Sequence, residues 1–363
     1  MQIPSAQTDR FVHDRLPPRA QWPELRYDLP ELRIAPQANL VQQLFDQVRA
    51  QGWIDRPLFR TAARTLSYAE AEREVDRMAR VLVDELKLEP GNRVLLRGGN
   101  SISMALAWLA VVKAGLIAVG TMPLFRAREL GVVMDKSRPA AALCEGKLLA
   151  ELQAAVASRP FVRNVLAFNQ PDDAGSLEAR AAKQPERFEA CPTAADDIAL
   201  LAFTSGTTGE PKAVVHSHRD VLAACQAWPR HVLRATEQDV VTGSPPLAFT
   251  FGLGGLLLFP MAAGASIFFA DVPYTPEVMV RLMREHGVSI CYTAPTFYRQ
   301  MAPHARAIGI PSLRICVSAG EALPDATRQL WKQATGIVLL DGIGATEMFH
   351  IFISSAGAEV RPG

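Results

Sequence analysis

The chain has 363 residues, 49% of them hydrophobic and 21% charged, which is the composition of an ordinary globular protein with more than one domain's worth of core. A formal net charge of +1 provides no basic stripe for nucleic acid. The five cysteines (Cys144, Cys191, Cys225, Cys291, Cys316) are odd in number and form no Cys-x-x-Cys pair, so neither a disulfide framework nor a cysteine-built zinc site is expected, and reduced thiols in the cytoplasm are.

Residues 1–35 are rich in Pro, Arg and Asp and lack periodicity, so an extended arm is expected there, lying on the body or partly disordered. No apolar run follows a basic start, and no signal peptide is expected. Apolar residues at helical spacing predict helices over 40–51 and 68–85. A short strand is predicted at 93–96, a helix at 101–115, a strand at 117–120, a helix at 127–136 and a strand at 140–144. Alternation of this kind predicts mostly parallel sheets with helices on both faces. Two long apolar stretches, 102–123 and 251–270, are interrupted by Lys113 and by Pro260. Each is expected to be a buried helix followed by a buried strand rather than a membrane span.

The polar stretch 170–197 separates the first block from a second. There strands are predicted at 198–203, 213–217, 264–270, 289–292, 313–318 and 338–340. The helices expected between them are 219–227, 276–286, 296–302 and 325–335. The expected fold class is therefore α/β, with two layered αβ subdomains: an arm over 1–35, a first subdomain over 36–190 and a second over 191–363. Ligands of such sheets collect beyond the strand C-termini.

Between the strands at 198–203 and 213–217 lies Thr204-Ser-Gly-Thr-Thr-Gly-Glu-Pro-Lys212. Its glycines permit close backbone approach and its N–H groups can form an anion-binding concavity, to which Lys212 adds a mobile positive charge. The spacing is not that of a Walker A loop. A nucleotide phosphate is the expected ligand, although composition alone also describes a plain surface turn. His216 and His218 share a face if the strand continues, but no third metal ligand is apparent.

Three further strings occur in order: Leu109-Ala-Val-Val-Lys-Ala-Gly-Leu-Ile-Ala-Val-Gly-Thr-Met-Pro123, Ser318-Ala-Gly-Glu-Ala-Leu-Pro324 and Asp341-Gly-Ile-Gly-Ala-Thr-Glu347. Together with the loop at 204–212, they resemble the motifs of the adenylate-forming (AMP-binding) enzymes, which include acyl- and aryl-CoA ligases, luciferases and peptide-synthetase adenylation domains. The run Met348-Phe-His350 is similar to the aryl-CoA ligase branch acting on benzoate and 2-aminobenzoate.

The resemblance implies attack of a carboxylate on the α-phosphate of ATP, then transfer of the acyl group to coenzyme A. Two negative groups must meet, so charge neutralisation and alignment matter more than acid–base chemistry. Lys212, Thr204, Ser205, Gly206, Thr207, Thr208 and Gly209 would hold the β- and γ-phosphates. Thr346 would contact the α-phosphate, and Glu347 would hold Mg²⁺. Gly320, Glu321 and Ala322 would line one face of adenine. Asp341, Gly342, Ile343 and Gly344 would form the other side, with Ile343 where many relatives carry a tyrosine. Asp341 could accept from the adenine amino group or serve as a helix N-cap.

Phe249, Thr250, Phe251, Gly252, Ile343 and His350 would enclose a flat aromatic acid, with Gly252 and Gly320 leaving room for the ring. Single phenylalanines could equally be plain core. Thr250 could bond an ortho amino group. Family members continue for roughly 150–200 further residues, about one domain, carrying a second catalytic lysine. The chain is therefore expected to be an N-terminal portion of low activity, with apolar surface that favours a homodimer. An aliphatic acyl-CoA ligase and a non-catalytic nucleotide-binding fragment are the competing expectations.

Overall fold

A computed structural model describes residues 3–170, 172–204 and 211–355. Among these the strands, in chain order, are β1 (Pro57–Arg60), β2 (Thr65–Ser67), β3 (Arg93–Arg97), β4 (Ile117–Thr121), β5 (Ala141–Glu145), β6 (Asn164–Phe168) and β7 (Ile198–Thr204). They are followed by β8 (Lys212–Ser217), β9 (Val240–Gly243), β10 (Ser266–Phe268), β11 (Ile290–Thr293), β12 (Ile315–Ser318), β13 (Leu340–Gly344) and β14 (Ile351–Ser354).

The fold is α/β with two mostly parallel sheets, as expected. The chain divides into two compact units, the first comprising 1–46, 72–99 and 103–226 and the second 47–71, 100–102 and 227–363.

The first unit holds a six-stranded sheet in the order β6-β5-β3-β4-β7-β8. All its pairings are parallel except β7–β8. β3 and β5 are buried at every position, which is why their apolar residues 94–96 and 141–144 run without alternation. The helix Ile102–Lys113 is apolar on all sides because it is buried all round. Its last residue, Lys113, is 1% exposed and paired with Asp76 and, at 3.7 Å, with Glu72.

The N-terminal arm has only short 3-10 turns. It is nevertheless pinned to the sheet. The Gln7 side-chain amide donates to the Ile198 carbonyl at 2.7 Å and accepts from the Ile198 N–H at 3.2 Å. Asp9 pairs with Arg93 and accepts from Asn92 at 2.8 Å.

The second unit holds an eight-stranded sheet in the order β14-β13-β12-β11-β9-β10-β1-β2, antiparallel only at its two edges. The helix starting at Tyr68 is capped reciprocally. Ser67 Oγ accepts from the Glu70 N–H, and the Glu70 carboxylate accepts from the Ser67 N–H at 2.7 Å. Residues 250–263 are helical throughout, with a π-helical turn at Gly254–Leu258. Gly264, at φ 70°, ends this helix before β10. Among the described residues no helix is long and apolar enough to cross a membrane.

Several elements differ from the sequence reading. The predicted strand at 338–340 lies further on, at β13, because Leu340 and Asp341 pair with β12 while Gly342–Gly344 pair with β14. The first four residues of the run 341–347 are thus themselves strand. β1, β2, β6, β9 and β14 and the helix Leu149–Val156 have no counterpart in the prediction.

Candidate active site

In the first unit, Thr204 ends β7 and Lys212 begins β8, and the two are directly opposed in antiparallel register. Lys212 is exposed and Thr204 half-buried. Ser205, Gly206, Thr207, Thr208 and Gly209 lie outside the described residues. Of the two histidines behind them, His216 is buried in β8, and His218 opens the next helix with no exposure. His218 Nδ1 accepts the Leu40 N–H at 3.0 Å, which caps the helix Leu40–Ala50 from a position far along the chain. Burial pushes its pKa down to about 3, so the ring is neutral.

A cavity of about 480 Å³ in this unit is lined by Arg10, His13, Trp22, Asp197 and Arg219 among others, and by none of the predicted site residues. Two of its arginines are ion-paired, Arg219 with Asp196 at 2.7 Å and Arg10 with Asp14 at 3.3 Å.

In the second unit the predicted nucleotide-site residues follow β12 or lie within and just after β13. Gly320 has φ 92°, a conformation that disfavours other residues, and open space where a side chain would stand. Glu321 and Ala322 are exposed. The Glu321 carboxylate accepts from the Thr296 N–H at 2.9 Å and its hydroxyl at 2.6 Å, and these bonds hold its pKa below the usual range. Asp341 is half-buried within β13. This excludes the N-cap alternative, because Asp341 pairs with Ser318 in the sheet. Burial raises its pKa against the opposing effect of Arg328, 3.8 Å away.

Gly342 has no side chain because the Ile351 side chain occupies that space, 2.4 Å from where a Cβ would sit. Ile343 is 62% exposed and faces Ile353 across the ladder. Gly344 pairs with Ile351. Thr346 and Glu347 form the 3-10 turn Thr346–Met348, with Thr346 half-buried and Glu347 exposed. Phe349, a non-glycine residue at φ 68°, then reverses the chain. It is buried, and His350 beside it is 3% exposed.

His350 is the centre of an aromatic box. Its ring centroid lies 4.6 Å from Phe259, 5.2 Å from Phe251, 5.4 Å from Trp228 and 6.3 Å from Tyr292. Two glycines of the π-helical turn admit these rings. A Cβ at Gly254 would meet His350 Cδ2 at 2.7 Å, and one at Gly255 would meet the Tyr292 ring at 2.7 Å. The Phe251 carbonyl lies 3.2 Å from His350 Nε2. A carbonyl can only accept, so Nε2 carries the proton. Burial pushes the His350 pKa down to about 3.

Of the residues predicted to surround an aromatic acid, Phe251 and His350 are in contact, and Thr250 is buried at the start of the same helix. Phe249 is 42% exposed, at the N-cap position, and contributes no ring to the His350 box. At Gly252 the Pro246 carbonyl sits 2.1 Å from where a Cβ would be, so no larger residue fits at that position. Trp228, Phe259 and Tyr292 complete the box. Tyr292, in the run Tyr292–Phe297, was expected from the sequence as a pocket wall, whereas Trp228 and Phe259 were not.

In this α/β chain Lys212 opens β8 of one sheet, and the motifs at 318–324 and 341–347 lie towards the edge of the other. The chain matches the AMP-binding enzyme family over residues 46–362 and belongs to it. It is 32% identical over 338 residues to a benzoate–CoA ligase of Thauera aromatica, covering 92% of this chain and 64% of that one. It is 31% identical over 336 residues to an anthranilate–CoA ligase of Pseudomonas aeruginosa, covering 89% of this chain and 61% of that one. Among solved structures, the anthranilate CoA ligase AuaEII in complex with anthranoyl-AMP superposes with a TM-score of 0.85 at 29% identity, covering 92% of this chain and 65% of that one. The chain thus spans a little under two thirds of the length of these relatives.

Proposed function

We propose that this chain carries the nucleotide- and acid-binding part of an ATP-dependent aryl-CoA ligase. Its substrate is an aromatic carboxylate of the benzoate class, 2-aminobenzoate included, which becomes an acyl adenylate and then a coenzyme A thioester. The aromatic box around His350 is the observation that carries the aryl reading. Trp228, Phe251 and Phe259 pack tilted or edge-on around the buried His350 ring, and an aromatic acid beside this cluster would pack in the same way.

Lys212, Thr204 and the loop residues between them hold the β- and γ-phosphates in this reading. Thr346 donates to the α-phosphate as charge develops there. Gly320, Glu321, Ala322, Asp341, Gly342, Ile343 and Gly344 border the adenine, with apolar Ile343 against its face.

Glu347 is exposed, and among the described residues it makes no hydrogen bond or ion pair. No cluster of three or more His, Cys, Asp or Glu is present among them. This suits a Mg²⁺ that arrives on the phosphates and takes few protein ligands. Such an ion would neutralise phosphate charge, with Glu347 holding it. The cysteines are free thiols, four of them buried, which supports a cytoplasmic location. Ile343, Met348, Phe352 and Ile353 expose 45–62% of their surface, which favours a homodimer.

Thermal unfolding with stable acyl-adenylate mimics tests the proposal. Benzoyl or 2-aminobenzoyl mimics are expected to stabilise the chain by about 2.7 kcal/mol at a hundredfold excess over Kd. Stabilisation by long alkyl mimics alone would overturn the aryl assignment. No stabilisation by any would overturn the nucleotide site.

A further inference from the structure

The cavity of about 480 Å³ in the first unit has the size of a small-molecule site and shares no residue with the ligase reaction. One wall is the N-terminal arm, which contributes Arg10, His13, Arg19 and Trp22. The other is the chain just before β7, at Asp196 and Asp197, with Arg219 from the helix His218–Gln226. The two walls are fastened together. One carboxylate oxygen of Asp197, itself 1% exposed, accepts from the N–H groups of Ala6 at 2.9 Å and Ala194 at 3.0 Å. His13 Nε2 donates to the side-chain carbonyl of Gln7 at 3.0 Å.

The charges lining the cavity do not balance, because three arginines stand against two aspartates. Arg219 is committed to Asp196. Arg10 is held by Asp14, in an exposed pair that contributes little. Arg19 makes no ion pair or side-chain hydrogen bond among the described residues. Its guanidinium lies 5.2 Å from the centre of the Trp22 ring, which is 39% exposed. A planar fork of donors therefore stands beside an open aromatic face. That pairing suits an anionic group joined to a flat ring: the anion takes the donors of Arg19, and the ring packs against the indole. An inorganic anion would leave Trp22 and its apolar neighbours Leu16 and Pro17 uncovered. An uncharged ring would leave Arg19 without a partner.

We propose that this cavity is a second ligand site, separate from the ligase reaction, and that it takes an aromatic anion. Thr204, at the far end of the seven-residue β7, is about 20 Å along the strand from the cavity end. Arg19 and Trp22 have no role in the ligase reading, so the two assignments stand or fall separately. An aromatic carboxylate and a nucleotide phosphate present the same chemistry to this pair. Because the arm is one wall, an occupant ties the arm to the body.

The test is isothermal titration of the full chain in saturating benzoyl-sulfamoyl adenosine, so that the ligase site is already filled. The titrants are benzoate, 2-aminobenzoate and AMP, with cyclohexanecarboxylate and inorganic phosphate as their non-aromatic counterparts. At least one aromatic anion is expected to bind at one site per chain, about fivefold or more tighter than its counterpart. Binding by the benzoates assigns the anion as a carboxylate, and binding by AMP assigns it as a phosphate. Arg19→Gln is expected to weaken that binding at least about tenfold, and Trp22→Leu about fivefold. Both residues are exposed, so both variants are expected to fold. The bound anion is also expected to slow tryptic cleavage after Arg15 in the wild type but not in Trp22→Leu.

Failure of all three aromatic anions to bind would overturn the site. Equally tight binding of the non-aromatic counterparts would overturn the aromatic assignment. Unchanged affinity in both folded variants would place the ligand elsewhere and overturn the proposal. If benzoyl-sulfamoyl adenosine itself does not bind, the ligase reading fails, while the response to Arg19→Gln and Trp22→Leu still decides the cavity.

Discussion

At the scale of single residues, two buried histidines show how one side chain serves different ends. His218 accepts from the Leu40 N–H and is neutral, with its pKa pushed down to about 3. The HxH spacing with His216 suggested a shared strand face. The structure instead puts His216 in the strand and His218 at the start of a helix. A histidine whose folded pKa lies below its unfolded value binds fewer protons when folded. Its contribution is complete above the unfolded pKa of about 6.5 and is lost as pH falls through the window down to about 3. Lowering the pH from 7 to 5 should therefore cost roughly 2 kcal/mol through this residue. His218→Asn, which keeps an acceptor for Leu40, should show a shallower loss of stability in urea titrations across that range. An identical pH dependence would remove His218 from the account.

At the scale of elements, positive-φ glycines separate backbone geometry from packing. Gly264 and Gly287 have similar φ values, 70° and 64°. A Cβ at Gly264 would meet the Trp53 ring at 2.3 Å, while nothing lies within 4 Å of one at Gly287. Gly287→Ala should cost about 1 kcal/mol from backbone conformation alone. Gly264→Ala should cost several kcal/mol more, because Trp53 must also move. Equal midpoints in denaturant for the two variants would contradict this. The Ser67–Glu70 capping box makes a smaller prediction at the same scale: Ser67→Ala should destabilise by about 1 kcal/mol.

The helix ending in Lys113 and the long helix at 325–335 were legible because their apolar spacing is carried within each segment. β1 was not legible, because it pairs in parallel with β10, some 200 residues away. Strands of three or four residues have too few positions to show a period, and β9 and β14 escaped notice for that reason.

At the scale of the whole molecule, the first unit buries an ion pair between Lys113 and Asp76, with Glu72 3.7 Å away. Desolvation raises the Asp76 pKa, and Lys113 opposes that rise. Lys113→Met alone leaves a buried carboxylate uncompensated and should cost about 3–5 kcal/mol. Adding Asp76→Leu should recover much of that loss, measured as a double-mutant cycle in denaturant. A double variant no more stable than Lys113→Met would show that the pair contributes more than its removal penalty.

The sequence alone determined the α/β class and the membership of the AMP-binding family, because both are carried by strings of neighbouring residues: a run of glycines and hydroxyls ending in Lys212, and the runs at 318–324 and 341–347. Only the tertiary structure decided what stands against what. It placed Asp341 inside a strand, gave the space at Gly252 to the Pro246 carbonyl, and set Trp228, Phe259 and Tyr292 around His350. The hydrogen bond between His350 and Phe251 joins residues 99 apart, and no local period or spacing encodes a contact made by folding the chain back over that distance.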